Sequence, residues 1–310
     1  LAAAVQAYCY SSFGAGWDQI SAAAGWNFLA AEEFGRWVLP GGNAGLAAAF
    51  WETLRDAERN SRFERRILRP DSMTVDVRLA PDDRVQVTWR DAEGELRSLL
   101  ARHAVMANSK HIAKYMLPDL GAPQRQAFDE IETAAYAVVN VLLDEPSPLP
   151  FYDIFLLGDG NFPMDETSAE ARSAVVDVLN GEFAGDAGGP ATALTLYWPL
   201  PFPSGLFTMV LPGTFENYAQ SIVPQVTRIL DVLDIPASAI HQIRISRWGH
   251  AMPIAAINAI AGGRVARIRA PIEDRIWFVN QDNWVLPAVE NSLLEAETWT
   301  DEIRRRLGAS

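Results

Sequence analysis

The 310 residues are 49% apolar and 21% charged, the balance of a globular protein with a sizeable core in one large domain or two ordinary ones. The formal charge is −13, from 26 Lys and Arg against 39 Asp and Glu, with no basic stripe; this argues against nucleic acid or an anionic membrane surface as partner and favours cationic ligands such as amines. No run approaches the roughly 20 apolar residues of a membrane span, and the single cysteine, Cys9, excludes an intrachain disulfide and a cysteine metal cluster.

Residues 1–35 are Ala-rich, with Tyr8, Tyr10, Phe13, Trp17, Trp26, Phe28 and Phe34 at helix-compatible spacing and Gly14 and Gly16 interrupting them. Cys9 reads as a small buried thiol on this apolar segment. Leu39-Pro40-Gly41-Gly42-Asn43-Ala44-Gly45 is a turn that opens a helix over 46–54. Residues 73–79 and 84–89 alternate in the strand manner (Val75, Val77, Leu79; Val85, Val87, Trp89), and Pro81-Asp82-Asp83 turns between them as a hairpin. A third strand is expected over 99–107, ending at Asn108-Ser109 and giving a β-meander followed by a buried strand. The apolar run 135–143 is the next strand, closed by Asp144-Glu145-Pro146. Gly-rich residues 181–192 are expected as an exposed loop, with strands at 192–198 and 206–211 around the Pro-rich stretch 199–203. A helix over 218–233 carries Ile222, Val226, Ile229, Leu230 and Leu233 at helical period. Strand 240–248 follows, and residues 265–270 lead into the C-terminal segment.

That segment is the most informative part of the chain. Arg275-Ile276-Trp277-Phe278-Val279 is an apolar strand ending in the polar turn Asn280-Gln281-Asp282, and after Pro287 a helix-like run covers 288–296. Strand, polar turn and helix N-terminus present backbone N–H groups to an anion, and an Asp there can accept from a ribose or ribitol hydroxyl. A second constellation is Arg247-Trp248-Gly249-His250-Ala251-Met252-Pro253. Trp, His and Met around a Gly and a Pro make an aromatic wall with one titratable edge, suited to stacking a substrate and exchanging a proton near neutral pH. A buried Trp corner with a hydrogen-bonded His fits the same residue types. Other signatures are missing. Gly14-x-Gly16 lacks a third glycine and a preceding strand, and Gly41-Gly42-x-x-Gly45 opens a helix without a leading βαβ unit. There is no Gly-x-Ser-x-Gly elbow. His103, His111, His241 and His250 show no metal-ligand spacing, and His103, at the start of a strand, reads as structural.

The order of these features resembles the flavin-dependent amine oxidase superfamily. It runs from the Pro40-Gly41-Gly42 helix through a β-meander, a strand ending in Ala107-Asn108-Ser109 and an isolated strand. It ends with Arg247-Trp248-x-His250 and Arg275-Ile276-x-Phe278-x-Asn280-x-Asp282. Within that superfamily the chain is most similar to the spermidine-dehydrogenase-like group of NAD(P)/FAD-dependent oxidoreductases. That group's Arg-Trp-Pro-His and Phe-Ala-Asn-Ser-Asp segments are matched by Arg247-Trp248-x-His250 and Phe278-Val279-Asn280-Gln281-Asp282. Phe13-Gly14-x-x-x-Asp18-Gln19-x-Ser21-Ala22-x-Ala24-Gly25 is similar to the group's aromatic part.

The resemblance implies FAD as cofactor, a small amine as substrate, and an α+β or α/β fold. Returning segments of an FAD-binding domain, the β-meander and the C-terminal strand and helix, would flank a mixed-sheet substrate domain. The implied division is a helical aromatic-rich segment at 1–72, the FAD-domain meander and strand at 73–125, the substrate domain at 126–238, and at 239–310 a C-terminal FAD-domain segment with the substrate-pocket wall. Backbone groups at Thr74 and Val75 would meet the adenine end of FAD. Asn280, Gln281 and Asp282 would hold the ribitol and pyrophosphate, and the backbone at Val289 would face the flavin ring. Trp248 and His250 would lie beside the isoalloxazine and the substrate. Many relatives carry a water-holding Lys on the isolated strand; the matching position here is Asn140, which holds a water but cannot serve as cation or base. Dehydrogenase behaviour is therefore expected as much as reaction with oxygen. The resemblance covers nearly all of this chain but two-thirds or less of a full family member, and the N-terminal Rossmann βαβ unit with its Gly-x-Gly-x-x-Gly is absent. The expectation is a C-terminal part of a longer flavoenzyme, or a subunit whose partner chain supplies that segment. A phytoene-desaturase-like or protoporphyrinogen-oxidase-like flavoenzyme is an alternative, as is a non-catalytic subunit of a split flavoprotein. The sequence starts at Leu1 rather than Met and leaves the compartment open between cytoplasm and periplasm.

Overall fold

The computed structural model describes residues 1–32, 38–60, 66–144, 149–157, 175–184, 192–200 and 214–308. In chain order the elements are α1 (Ala2–Phe13), α2 (Ala22–Glu32), α3 (Ala44–Asn60), β1 (Met73–Leu79), β2 (Val85–Arg90), β3 (Leu96–Ala101) and β4 (Ala104–Met106). Then come α4 (Lys110–Met116), α5 (Ala122–Asp129), β5 (Thr133–Leu143), β6 (Asp153–Phe155), β7 (Asp177–Asn180), β8 (Thr192–Pro199) and α6 (Thr214–Val232). The last are β9 (Ile240–Pro253), α7 (Arg264–Arg269), β10 (Ile276–Phe278) and α8 (Val289–Arg306). They fall into two compact units, Leu1–Thr53 with Thr133–Met252 and Leu54–Glu132 with Pro253–Ser310.

The first unit is built on a five-stranded sheet in the order β6-β7-β8-β5-β9. Strict alternation in β5 turns Ala135, Ala137, Val139, Val141 and Leu143 to one face, where they join Leu194, Leu196 and Trp198 of β8. The apolar stripe of α6 (Tyr218, Ile222, Val226, Ile229 and Leu230) closes this core. The intervening residues of β5 point the other way, toward α1: Tyr136 donates to the Ser11 carbonyl at 3.1 Å and meets Tyr197 edge-on at 5.8 Å. α1 stops at Gly14, whose φ of 66° is left-handed. A Cβ there would stand 2.4 Å from the Ala134 Cβ, so only glycine lets the helix end seat on β5.

The second unit carries the meander β1-β2-β3 and a two-stranded parallel pair, β4 with β10. Its core is Val77, Val85, Met106, Ala113, Leu117, Phe128, Ile268, Ile276, Phe278 and Val285, drawn from both sheets, from α4, α5 and α7 and from the turns beside them. Between Thr74 and Asp76 the register of β1 on β2 slips by one residue, leaving Val75 as the extra residue of a β-bulge.

The expected hairpin, the meander, strand 135–143 and the 218–233 helix are all present, the helix starting four residues earlier. The single strand expected over 99–107 is instead two strands in different sheets. The chain leaves β2 after Ala101, and Ala104 N–H then donates to the Arg275 carbonyl at 2.9 Å as β4 aligns with β10. Alternation along one strand carries no information about a change of partner, so the break at Arg102-His103 could not be seen. Strand 240–248 runs on to Pro253, and 265–270 forms α7. Of the expected Gly-rich loop, 181–184 is a 3-10 turn and 185–191 lies outside the described residues, as do 201–203 and the strand expected at 206–211. Among the described residues no helix is long and apolar enough to cross a membrane.

Candidate functional site

In the second unit, β4 and β10 run parallel and in register, Ala104 beside Ile276 and Met106 beside Phe278. Their carboxyl ends therefore lie side by side, one leading through Asn108-Ser109 into α4 and the other through Asn280 into the 3-10 turn Gln281–Trp284. In open α/β sheets this is the edge at which ligands bind. The two loops are tied together by Lys110, which is wholly buried. Its backbone N–H donates to Asp282 Oδ2 at 2.7 Å, and its Nζ donates to Asn280 Oδ1 at 2.7 Å and Asn283 Oδ1 at 2.6 Å. The ammonium also lies 5.2 Å from the Phe278 ring centroid and 5.8 Å from that of Phe128. Burial pushes the Lys110 ammonium down to about 8, against the opposing pull of Asp282 and Glu295.

A second layer backs this turn. Asn280 Nδ2 donates to the Asn108 carbonyl at 2.6 Å, and Asn283 Nδ2 donates to the Phe278 carbonyl at 2.7 Å and to Glu295 Oε2 at 2.5 Å. Glu295, buried on α8, also accepts from Trp299 Nε1 at 2.9 Å and pairs with Arg269 of α7 at 2.7 Å. The Arg269 guanidinium lies 4.4 Å from the Trp284 ring centroid. Lys110, Asn280, Asn283 and Glu295 thus satisfy one another across this interior, as burial requires.

The residues predicted for a dinucleotide cofactor all fall in this unit. Val75 is the bulged residue, 37% exposed, so its backbone groups are not committed to the β2 ladder. Val289 is 53% exposed at the first turn of α8, which has no side-chain cap. Gln281 is half-buried, whereas Asp282 is only 4% exposed and already accepts from α4. Two buried donors at the same turn, Trp284 Nε1 and Arg269 Nε, find no hydrogen-bond acceptor among the described residues. Uncommitted donors, an uncapped helix start and a bulge fit an anionic group bearing several acceptors, so the residues present suit FAD. No described group of three His, Cys, Asp or Glu side chains is placed to hold a metal ion.

In the first unit, His250 and Trp248 lie on β9. His250 Nδ1 is 2.6 Å from Thr133 Oγ1, a bond that fixes the imidazole plane. Trp248 is 58% exposed, which overturns the buried Trp corner as a reading of this segment. Asn140, half-buried at the middle of β5, accepts from Thr195 Oγ1 at 2.9 Å across the β5–β8 pair. It lies on the same face of β5 as Tyr136, away from the α6 core. Cys9 is buried, and burial followed by the charge of Asp18 raises its thiol to about 11, as suits an inert core group.

Lys110, Asn283, Glu295 and Thr133 were not singled out in the sequence. A signal did exist for two of them. A lysine in the first turn of a helix opposes the helix dipole, and a glutamate interrupting Leu293-Leu294-Glu295-Ala296 sits inside an apolar run. Thr133 gave none.

The described chain is a mixed helix-and-sheet fold similar to part of two solved oxidase structures. Two solved structures carry the likeness. Cyclohexylamine oxidase from Brevibacterium oxydans IH-35A aligns with a TM-score of 0.54 at 13% identity, covering 96% of this chain and 64% of its own. A protein from Exiguobacterium sp. 255-15, whose name proposes a protoporphyrinogen oxidase, aligns with a TM-score of 0.52 at 13% identity, covering 75% of this chain and 47% of its own. The chain thus spans less than two thirds of either relative. No protein-family model and no curated protein matches the sequence.

Proposed function

We propose that this chain is part of an FAD-dependent oxidoreductase acting on an amine, and that it supplies the substrate domain together with part of the cofactor-binding domain. The observation that carries the reading is the pair of parallel strand ends, β4 and β10, converging on a polar turn with uncommitted donors and followed by the uncapped start of α8. The likeness to cyclohexylamine oxidase over nearly the whole chain supports an amine. When bound, the flavin supplies the acceptor for a hydride from the carbon next to nitrogen. Val75 offers backbone groups to the adenine end, Asn280, Gln281 and Asp282 shape the turn against the ribitol and pyrophosphate, and the α8 N-terminus at Val289 favours negative charge. Trp248 offers a ring face to the substrate. His250, held by Thr133, exchanges a proton with the amine. Asn140 orients a polar group without adding charge.

The intact gene product should carry FAD by absorbance and mass spectrometry, and a panel of primary and secondary amines should bleach the flavin under anaerobic conditions. His250→Ala should lower turnover by roughly 10²-fold with FAD content unchanged, whereas equal loss of both would make His250 structural. Absence of FAD from the intact protein would remove the reading altogether. The Exiguobacterium neighbour supports a second reading, a cyclic tetrapyrrole substrate. The same panel separates the two, because turnover of amines alone excludes it. Exposed Phe50, Trp51 and Leu54 on α3 leave an apolar stripe that also suits a subunit completed by a partner chain.

A further inference from the structure

We propose that Lys110 is a positioning residue that sets the shape of the Asn280–Trp284 turn for its ligand, with Asn283 and Glu295 as its rear support. The proposal rests on the reading of that turn as part of the flavin site.

Two features separate Lys110 from an ordinary buried ion pair. Its ammonium is met at bonding distance by the amide oxygens of Asn280 and Asn283, both belonging to the turn. Its backbone N–H binds Asp282 between them. One residue therefore fixes three of four consecutive turn residues, and Gln281, the one it does not hold, is the most exposed of the four. The arrangement also sets the amide orientations. Asn280 and Asn283 must turn their oxygens toward Nζ, which leaves their NH2 groups to donate to the Asn108 carbonyl and to Phe278 and Glu295 respectively. Glu295 is held in turn by Trp299 and Arg269, so the chain of contacts runs from the turn to α8 and α7. A turn that served only to join β10 to α8 would not need a cation in its interior, since burying one is unfavourable unless geometry demands it.

The test uses the intact protein reconstituted with FAD, comparing wild type, Lys110→Met, Asn283→Ser and the double variant. Flavin affinity is read by fluorescence quenching, bound-flavin geometry by the visible absorption envelope, and apo-protein stability by thermal melting. Lys110→Met should weaken FAD binding by about tenfold or more and alter the absorption envelope well below the melting temperature, and Asn283→Ser should do the same to a lesser degree. The double variant should lose little beyond Lys110→Met, because both act through one turn. Unchanged affinity and spectrum, with only a lower melting temperature, would overturn the proposal and leave Lys110 a fold-stabilising residue. Should Lys110→Met not fold, Asn283→Ser carries the decision alone, as it removes one acceptor and leaves the lysine in place. A wild-type protein that binds no FAD would instead sink the functional reading. One that binds FAD with indifference to Asn280→Ala would show that the turn is not part of the site.

Discussion

At the scale of single residues, Lys110 ties a site argument to a stability argument. Its ammonium is held at about 8 instead of the ordinary 10.5 because burial strips its water more than Asp282 and Glu295 restore. The sign follows from proton counting. Below pH 8 folded and unfolded chains both bind the proton. Between 8 and 10.5 the unfolded chain binds it and the folded chain does not, so rising pH stabilises the fold across that window and then ceases to. The full swing is on the order of 3 kcal/mol. Lys110→Met should abolish it: melting temperatures at pH 7 and pH 9.5 should show wild type gaining on the variant at the higher pH. Parallel pH curves for the two proteins would mean that the folded lysine titrates like a free one.

Among elements, the ends matter more than the interiors. α1 can seat on β5 only because residue 14 is a left-handed glycine with another Cβ 2.4 Å from where its own would stand. Gly14→Ala combines an unfavourable φ with a clash against the rigid Ala134 Cβ and should cost about 2 kcal/mol or more. For a protein of this size that lowers the melting temperature by roughly 3 °C, measurable by calorimetry; a change below about 1 °C would mean that the α1 end detaches freely. Periodicity revealed β1, β2 and α6 because each buries one face, so the apolar repeat is the burial pattern itself, whereas β5, covered on both faces, showed as an apolar run. It missed α4 and α5, only 7 and 8 residues long, and it fused β3 with β4. The same limit governed the site. Asn280 and Asp282 stood out as a polar break after an apolar strand, but the partner that organises them lies 170 positions away in sequence, on Lys110. The bulge at Val75 was equally hidden, because a strand with an extra residue still alternates on either side of it.

The scale of the whole molecule bears on which substrate is drawn in. A formal charge of −13 with 39 acidic side chains sets up a field that attracts cations and repels acids. The two substrate readings carry opposite charge, an ammonium in one case and the carboxylates of a tetrapyrrole in the other, so ionic strength separates them without knowledge of the exact compound. Screening shortens the reach of that field from about 30 Å at 0.01 M salt to about 8 Å at 0.15 M. For a cationic amine, kcat/KM measured by stopped-flow flavin reduction should therefore fall several-fold over that range, on the order of the lower steering effects known. A neutral analogue should hold level and a carboxylated substrate should rise. The effect belongs in the second-order rate constant, since the field acts on encounter and not on the bound complex, so kcat should stay constant while KM moves. A kcat/KM for the amine that stays flat with salt would mean the acidic surface does nothing but keep the molecule dispersed.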